Sequence, residues 1–458
     1  MSRLLAGSGG MSVNKVVEKR HSKVDVADVF IWGTRVGAVA WDDERELGFF
    51  EYDPTFLRAP AELAPLMMPR ARTIYSFPEL DRQSYKGLPG MLADALPDKF
   101  GNLLIDRWLE QQGRDRASFS PVERLCYMGE RGMGALEFRP AIKRVQASQP
   151  LEIAELAALA NRVLSAKSHL QEQLTDDLSD QRSALGHILA VGTSAGGARA
   201  KAVIAWNPET GEVRSGQISA GQGFEHWLLK FDGIAENADK ELNDPQGFGR
   251  IEYAYYLMAT AADIEMSESR LLEEGGRAHF MTRRFDRRAD GDKLHMQSLC
   301  AIAHYDFNIA GGYSYEQALQ VIKRLNMDSE KEALEQQYRR MVFNVIARNQ
   351  DDHTKNIAFL MDRQGNWQLA PAFDVIYSYN PRGEWTSRHQ MTVNEKRDDF
   401  MLDDLLAVAV HGNIKTIRAK KIITQVVDAV SEWKTFATRA GVFAEWREEI
   451  ARHHRLVW

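Results

Sequence analysis

Between Val24 and Tyr52, short apolar runs alternate with glycines and charged turns, as in VFIWG, VGAVAW and LGFFEYD. This is the pattern of antiparallel strands joined by tight turns, so a small β unit opens the fold. After a Pro-rich stretch at 54–78, the segment LPGMLADALPDKFGNLLIDRWLEQQG spaces its apolar residues at helical intervals, with Gly113 placed as a C-terminal stop. Residues 121–139 predict a helix, a Gly-rich turn and a strand, and a first domain boundary falls near Pro150.

Residues 151–185, rich in Ala, Leu, Glu and Gln, predict helix. The character then changes. In ILAVGTSAGGARAKAVIAWNPETGEV two β-type runs flank a loop of small residues, and the NPETG turn follows. A short strand HWLLKFD, a periodic helix RIEYAYYLMATAADI and another strand RAHFMTRRFDR come next. From about Tyr315 the pattern is mostly helical, interrupted by NIAFLMDRQGNWQLAPAFDV, which reads as a hairpin turning at Gly365. No internal repeat is visible, and the mixture of elements predicts an α+β fold.

Composition narrows the field. A chain of 458 residues exceeds one core of ordinary size, so two or three domains or a large two-lobed unit is expected. With 44% hydrophobic and 27% charged residues it has the balance of a globular protein. A net charge of −6 supplies no global attraction to nucleic acid or an anionic membrane. The only cysteines, Cys126 and Cys300, exclude a disulfide framework or a Cys-rich zinc module and suit a cytoplasmic, reducing setting. No apolar run approaches the roughly 18 to 20 residues of a membrane span, and residues 1–23 read as a flexible leader outside the fold.

The candidate chemistry centres on RNQDDHTKN, residues 348–356, directly after the apolar run MVFNVIA. An acid at 351 and an amide at 356 match the spacing of a phosphoryl-transfer loop, in which the acid orients the attacking hydroxyl and the amide oxygen holds Mg2+. The hairpin that follows would return Asp374 beside Asn356 as a second oxygen ligand for a hard cation. The structural alternative is a polar helix end in which Asp352 and His353 cap backbone groups while Lys355 is solvated. Asp351, Asp352 and His353 are adjacent, so their side chains cannot converge on one metal ion unaided.

GTSAGGARAK, residues 192–201, has three glycines in ten positions, which would let backbone N–H groups approach phosphate oxygens. It fits neither the Walker pattern nor G-x-G-x-x-G, and a plain hairpin turn is the alternative. Lys230 sits among apolar neighbours in HWLLKFD and should be paired, either by nucleotide phosphates or by a carboxylate such as Glu252; snorkelling from an edge strand is the third reading. Gly-rich flap, strand Lys, helix Glu, linker strand, Asp…Asn and hairpin Asp follow one another in the order found in a two-lobed protein-kinase-like enzyme.

Taken together, YDPTFL, LPGMLADALPDKFGNLLIDRWL, MGERGMGALEFRP, GTSAGGARAK, RRFDR, DDHTKN and LAPAFDV resemble the HipA family of bacterial serine/threonine kinase toxins over nearly the whole chain. The resemblance implies a β-rich N-terminal subdomain at 24–150, a kinase N-lobe-like part at 151–285 and a helical C-lobe at 286–458. It further implies that Asp351 is the catalytic base and that Asn356 and Asp374 bind Mg2+. ATP would be held by Lys230, Lys201, His353, Asn356, the loop Gly196, Gly197, Ala198 and Arg199, and the segment from Arg283 to Phe285 facing adenine. Arg283 departs from the acidic residue common there in the family. Ser194, with Thr193 beside it, falls where the family carries an autophosphorylated serine whose dianion would eject the loop. A protein substrate, an aminoacyl-tRNA synthetase in family members, and a small DNA-binding antitoxin through which alone DNA would be reached are implied as partners, and no membrane is. A small-molecule phosphotransferase and a non-catalytic adaptor are the competing expectations.

Overall fold

Alternation of apolar and polar positions builds the first sheet, as the sequence predicts. The computed structural model describes residues 23–142, 150–165, 199–217, 220–233, 246–288 and 291–457. Strands β1 (Val26–Ile31), β2 (Thr34–Asp42) and β3 (Leu47–Tyr52) pair antiparallel. With β4 (Ile74–Tyr75) and β5 (Leu136–Arg139) they form one sheet in the order β4-β3-β2-β1-β5. Ala27, Val29 and Ile31 point inward and are buried, the period-2 signature of a one-sided sheet.

The helical run expected up to Gly113 is divided. Short helices α1 (Arg82–Tyr85) and α2 (Gly90–Ala93) precede α3 (Lys99–Gln111). Pro97 offers no N–H and biases the residue before it away from helix, so the chain restarts at Asp98, whose carboxylate accepts the Gly101 N–H at 2.6 Å. Helix α4 (Pro121–Met128) starts on a capping box between Ser120 and Glu123, with Pro at its first position. Helix α5 (Ile153–Ser165) occupies the start of the segment expected to be helical; the rest of 151–185 lies outside the described residues.

A second sheet has the order β7-β6-β8-β10-β9, from β6 (Lys201–Trp206), β7 (Val213–Ser215), β8 (Glu225–Lys230), β9 (Ser269–Glu274) and β10 (Arg277–Arg283). Strand β9 was not expected from the sequence; it hairpins into β10 through Gly275 and Gly276, both with positive φ. Helix α6 (Phe248–Ala261) lies against β10. Its Gly249 is required by the contact, because a Cβ there would stand 2.0 Å from the Ala278 carbonyl. The close approach carries Glu252, one turn on, under the sheet.

The third sheet joins β11 (His295–Ser298) to the expected hairpin, β12 (Ala358–Met361) and β13 (Trp367–Leu369), which turns at Gly365 with φ +91. Around it stand α7 (Leu299–Ala303), α8 (Tyr315–Arg324), α9 (Glu330–Ile346), α10 (Leu402–His411), α11 (Thr416–Ser431), α12 (Trp433–Arg439) and α13 (Ala444–His453). One apolar core runs through the β-rich and helical parts, from Val29 through Trp227 and Tyr255 to Trp433. The β-rich part docks on α7 in detail. Ser298 caps α7 by accepting the Ala301 N–H at 3.2 Å. Asp94 anchors that cap by accepting the Ser298 N–H at 2.7 Å and its hydroxyl at 2.9 Å, and Gly90 donates its N–H to His304 Nε2 at 3.1 Å.

Candidate functional site

Strand pairing brings two lysines together. Lys201 opens β6, Lys230 closes β8, and the two are direct antiparallel partners, so both side chains leave the sheet on one face. Both are buried, and two adjacent ammonium groups there require anions. Glu252 meets Lys230 at 2.5 Å, and Asp374 Oδ1 accepts from the same Nζ. Arg199 joins from the other side, 3.8 Å from Glu252, with its guanidinium over the Phe248 ring.

These charges reset one another. Burial alone would raise the Asp374 carboxyl, but Lys201 and Lys230 outweigh it and hold it well below the usual carboxylate range. Burial alone would lower the Lys230 ammonium, but Asp374 and Glu252 carry it above its ordinary value. For Lys201 burial wins, and its ammonium is pushed down despite Asp374. Asp374 also adopts a left-handed backbone, φ +52, which costs a non-glycine residue about 1 kcal/mol or more. Strain kept at a cluster of opposed charges is typical of a functional position.

The loop after α9 supplies the rest. Asp351 is half-exposed; its backbone N–H donates to Ser378 Oγ at 3.1 Å and its Oδ1 accepts the Trp385 indole N–H at 2.8 Å. Asn356 donates its side-chain N–H to the Asp351 carbonyl at 2.8 Å, a bond that ties the two ends of the expected motif together and leaves the amide oxygen for other work. His353 Nε2 stands 3.9 Å from Asp351 Oδ1. Asn356, His353 and Asp374 line one common recess. The hairpin therefore returns Asp374 to Asn356, as expected from the sequence.

Asp352 is structural, as in the alternative reading, but it gathers distant groups and does not cap the helix end, and His353 makes no cap bond. Asp352 is buried, and accepts from Tyr315 hydroxyl at 2.6 Å, the Gln390 N–H at 2.8 Å and His389 Nδ1 at 2.8 Å. Burial would raise its carboxyl, yet His389 and the other donors keep it below the ordinary value. Lys355 is not simply solvated: its ammonium lies 4.7 Å from the Phe307 ring centre. Lys230 is not a snorkelling edge residue, since β8 is the central strand of its sheet.

Other expected positions fall less directly. Thr193, Ser194, Gly196, Gly197 and Ala198 lie outside the described residues. Arg283 and Arg284 already spend their N–H groups on the carbonyls of Glu268 at 2.8 Å and His226 at 2.9 Å, so an adenine beside this segment would have to be met elsewhere on it. The Arg283 side chain stands 3.4 Å from Glu225. Phe285 packs its ring 5.6 Å from that of Phe373, the residue before Asp374. Trp385 and Ser378 were missed altogether, because nothing in their local sequence distinguishes a loop residue that folds back on Asp351.

Among the described residues no group of three or more His, Cys, Asp and Glu side chains could enclose a metal ion by itself. Two oxygens, from Asn356 and Asp374, suit Mg2+, which keeps several waters and completes its shell with phosphate. Among the described residues no helix is long and apolar enough to cross a membrane.

Comparison with known proteins follows the same division. A family model described as the HipA-like C-terminal domain matches residues 193–434, and one described as the HipA N-terminal domain matches residues 27–139. No curated protein matches the chain. Among solved structures, the chain is similar to HipA from Shewanella oneidensis MR-1, solved in a toxin–antitoxin complex with HipB and its operator DNA. The TM-score is 0.64 at 14% identity, over 93% of this chain and 94% of that one. At that identity the likeness is one of fold, and it bears out the mixed α/β architecture with a β-rich N-terminal region and helical C-terminal part. A Helicobacter pylori proinflammatory kinase, CtkA, reaches a TM-score of only 0.30 at 13% identity, over 47% of this chain and 90% of that one, too slight a likeness to inform the fold.

Proposed function

The chain belongs to the HipA family, and from that premise we propose that it is an ATP- and Mg2+-dependent serine/threonine protein kinase acting as the growth-inhibiting toxin of a toxin–antitoxin pair. The observation that carries this reading is the Lys230 ammonium, bonded at once to Glu252 of α6 and to Asp374 beside Asn356. A strand lysine tied to a helix glutamate and an aspartate on the far wall of a cleft is the arrangement that phosphoryl transfer needs, since catalysis there is mostly positioning and charge stabilisation.

Bound Mg2+ would neutralise charge on the ATP phosphates. Asn356 and Asp374 would hold it through their oxygens. Lys230 would exchange part of its bonding to Asp374, and Lys201 part of its attraction to that carboxylate, for phosphate oxygens, which relieves the repulsion between the two ammonium groups. Asp351, steadied by Trp385 and Ser378, would accept the proton of a serine or threonine hydroxyl as its oxygen attacks the γ-phosphorus and the bond to the β-phosphate oxygen breaks.

An aminoacyl-tRNA synthetase as substrate and Ser194 as the self-modified residue are the family's expectations for this chain. A small DNA-binding antitoxin is the expected partner, supported by the HipB complex of the structural relative. Incubation with Mg-ATP followed by peptide mapping tests the reading: one added phosphate on the 192–201 peptide supports it. No mass gain together with no nucleotide binding by calorimetry would leave a non-catalytic adaptor.

A further inference from the structure

Behind the loop that carries Asp351 and Asn356 lies a small cavity of about 30 Å³. It is the inner part of the recess that Asn356, His353 and Asp374 line, walled also by α9, Tyr315 and Ile264. Helix α9 is largely buried, yet it aims a polar stripe at the cavity through Gln337, Arg340 and Asn344, at positions i, i+3 and i+7 of one helical face. Gln337 is 1% exposed and Arg340 is 7% exposed. Polar groups so deep inside are retained only if something satisfies them.

Part of the lining is already satisfied. Asn344 donates to the Tyr315 hydroxyl at 2.9 Å and accepts from Asn349 at 2.9 Å, and Asp352 has its three donors. In the lining of this cavity, three buried atoms have no hydrogen-bond partner among the described residues: Gln337 Oε1, Arg340 Nε and His353 Nδ1. Arg340 spends another N–H on the Ala370 carbonyl at 2.9 Å, so its Nε–H remains to be placed.

The chemistry of this set selects its occupant. Asn356 and Asp374 border the same recess, but at its α9 wall a cation would face the Arg340 guanidinium and an anion would face Asp352. A neutral molecule with two donors and at least one acceptor fits: its oxygen accepts Arg340 Nε–H while its two hydrogens go to Gln337 Oε1 and His353 Nδ1. One water needs roughly 10–15 Å³ of such space and two to four polar partners, and the cavity provides both.

We propose that the cavity binds an ordered water held by Gln337 and Arg340, and that this water fixes His353 in the tautomer that carries its proton on Nε2. The nitrogen that accepts from the water cannot carry the ring proton, so the proton is sent to the other nitrogen. That nitrogen is the one 3.9 Å from Asp351 Oδ1, so the Nε2–H is presented to the cleft. Gln337 and Arg340 thus act as positioning residues, and a contribution to phosphate binding through His353 rests on the kinase reading above.

The test is nitrogen-15 NMR of the imidazoles in the full-length protein, with His353 assigned from the spectrum of His353→Gln. A crystal structure fine enough to place water molecules accompanies it. The expected result is an Nε2–H signature for His353 in the wild type and a water within hydrogen-bond distance of all three atoms. Gln337→Leu should lose the water and shift the tautomer, while Gln337→Glu, which keeps an acceptor, should restore both. An Nδ1–H signature in the wild type, or a dry cavity there, overturns the inference even if Gln337→Leu fails to fold. Neither readout needs turnover or nucleotide, so a protein without kinase activity would sink the functional reading and leave this one standing.

Discussion

Lys201 and Lys230 stand directly opposite each other on β6 and β8, at 3% and 7% exposure, with the carboxylates of Glu252 and Asp374 gathered around them. Two like charges on facing positions repel, and burial deepens the cost, so the pair persists only because anions are held between and beside the ammonium groups. A nucleotide's phosphates are the natural further anion. Lys230→Met should weaken Mg-ATP binding by about 10- to 100-fold, the range of a charge-assisted hydrogen bond to a buried group. Calorimetry measures it, with circular dichroism to show that the fold remains; an unchanged affinity would remove Lys230 from the nucleotide site.

Trp385 is the donor that steadies Asp351, through its indole N–H at 2.8 Å. Trp385→Phe keeps an aromatic ring and removes only that donor. A hydrogen bond of about 1 to 1.5 kcal/mol predicts a fall in kcat of about tenfold. The KM for ATP should hardly move, because the indole faces the acid and not the Lys201–Lys230 cluster. A change confined to KM would mean that Trp385 serves the nucleotide instead.

The β-rich part has a mechanical route to the metal loop. Asp94 anchors Ser298, the N-cap of α7, and the next residue, Leu299, donates its N–H to the Ile357 carbonyl at 2.7 Å, one position beyond Asn356. Asp94→Ala should cost about 1 to 3 kcal/mol of stability, the scale of two lost part-buried hydrogen bonds. It should also weaken the Mg2+ dependence of ATP binding more than binding without metal. A drop in melting temperature with Mg2+ dependence intact would reduce Asp94 to a structural anchor.

Stability should fall on mild acidification. Burial pushes His279, His295 and His304 down to about 4 and His454 to about 3, whereas an unfolded histidine titrates near 6.5. Between those values the unfolded chain binds the extra protons, so stability present above about pH 6.5 is lost as the pH falls towards 4. Melting temperatures from pH 8 to 4.5 check this. A flat profile below pH 6.5 would mean that these rings reach solvent and charge freely in the folded protein.

Much of this site was legible because its signals are local. The six-residue span from Asp351 to Asn356, the hairpin turn at Gly365 and the apolar setting of Lys230 each carry their own physical demand, and the structure brings Asn356, Asp374, Lys230 and Glu252 together. The partner of Lys230 was readable for the same reason: a buried ammonium needs a carboxylate, and the next helix offers Glu252. What escaped depends on distant packing. Trp385 reaches Asp351 across 34 residues, and Asp94 reaches Ser298 across 204. Gln337, Arg340 and Asn344 interrupt the apolar pattern of α9 in a way that reads as an exposed face until the loop is laid over it. Strand β9 was available in principle, since EEGGRAHF carries a Gly-Gly hairpin turn between two β-type runs.

Transfer of label from γ-labelled ATP to protein, compared between the wild type and Asp351→Asn in the presence of Mg2+, tests the central claim most directly. The asparagine keeps an acceptor oxygen for the Trp385 indole and removes the base. Labelled wild-type protein with the variant reduced by at least about 100-fold, the scale of a lost general base, is the predicted result. Asp351→Asn labelled as well as the wild type would contradict the account.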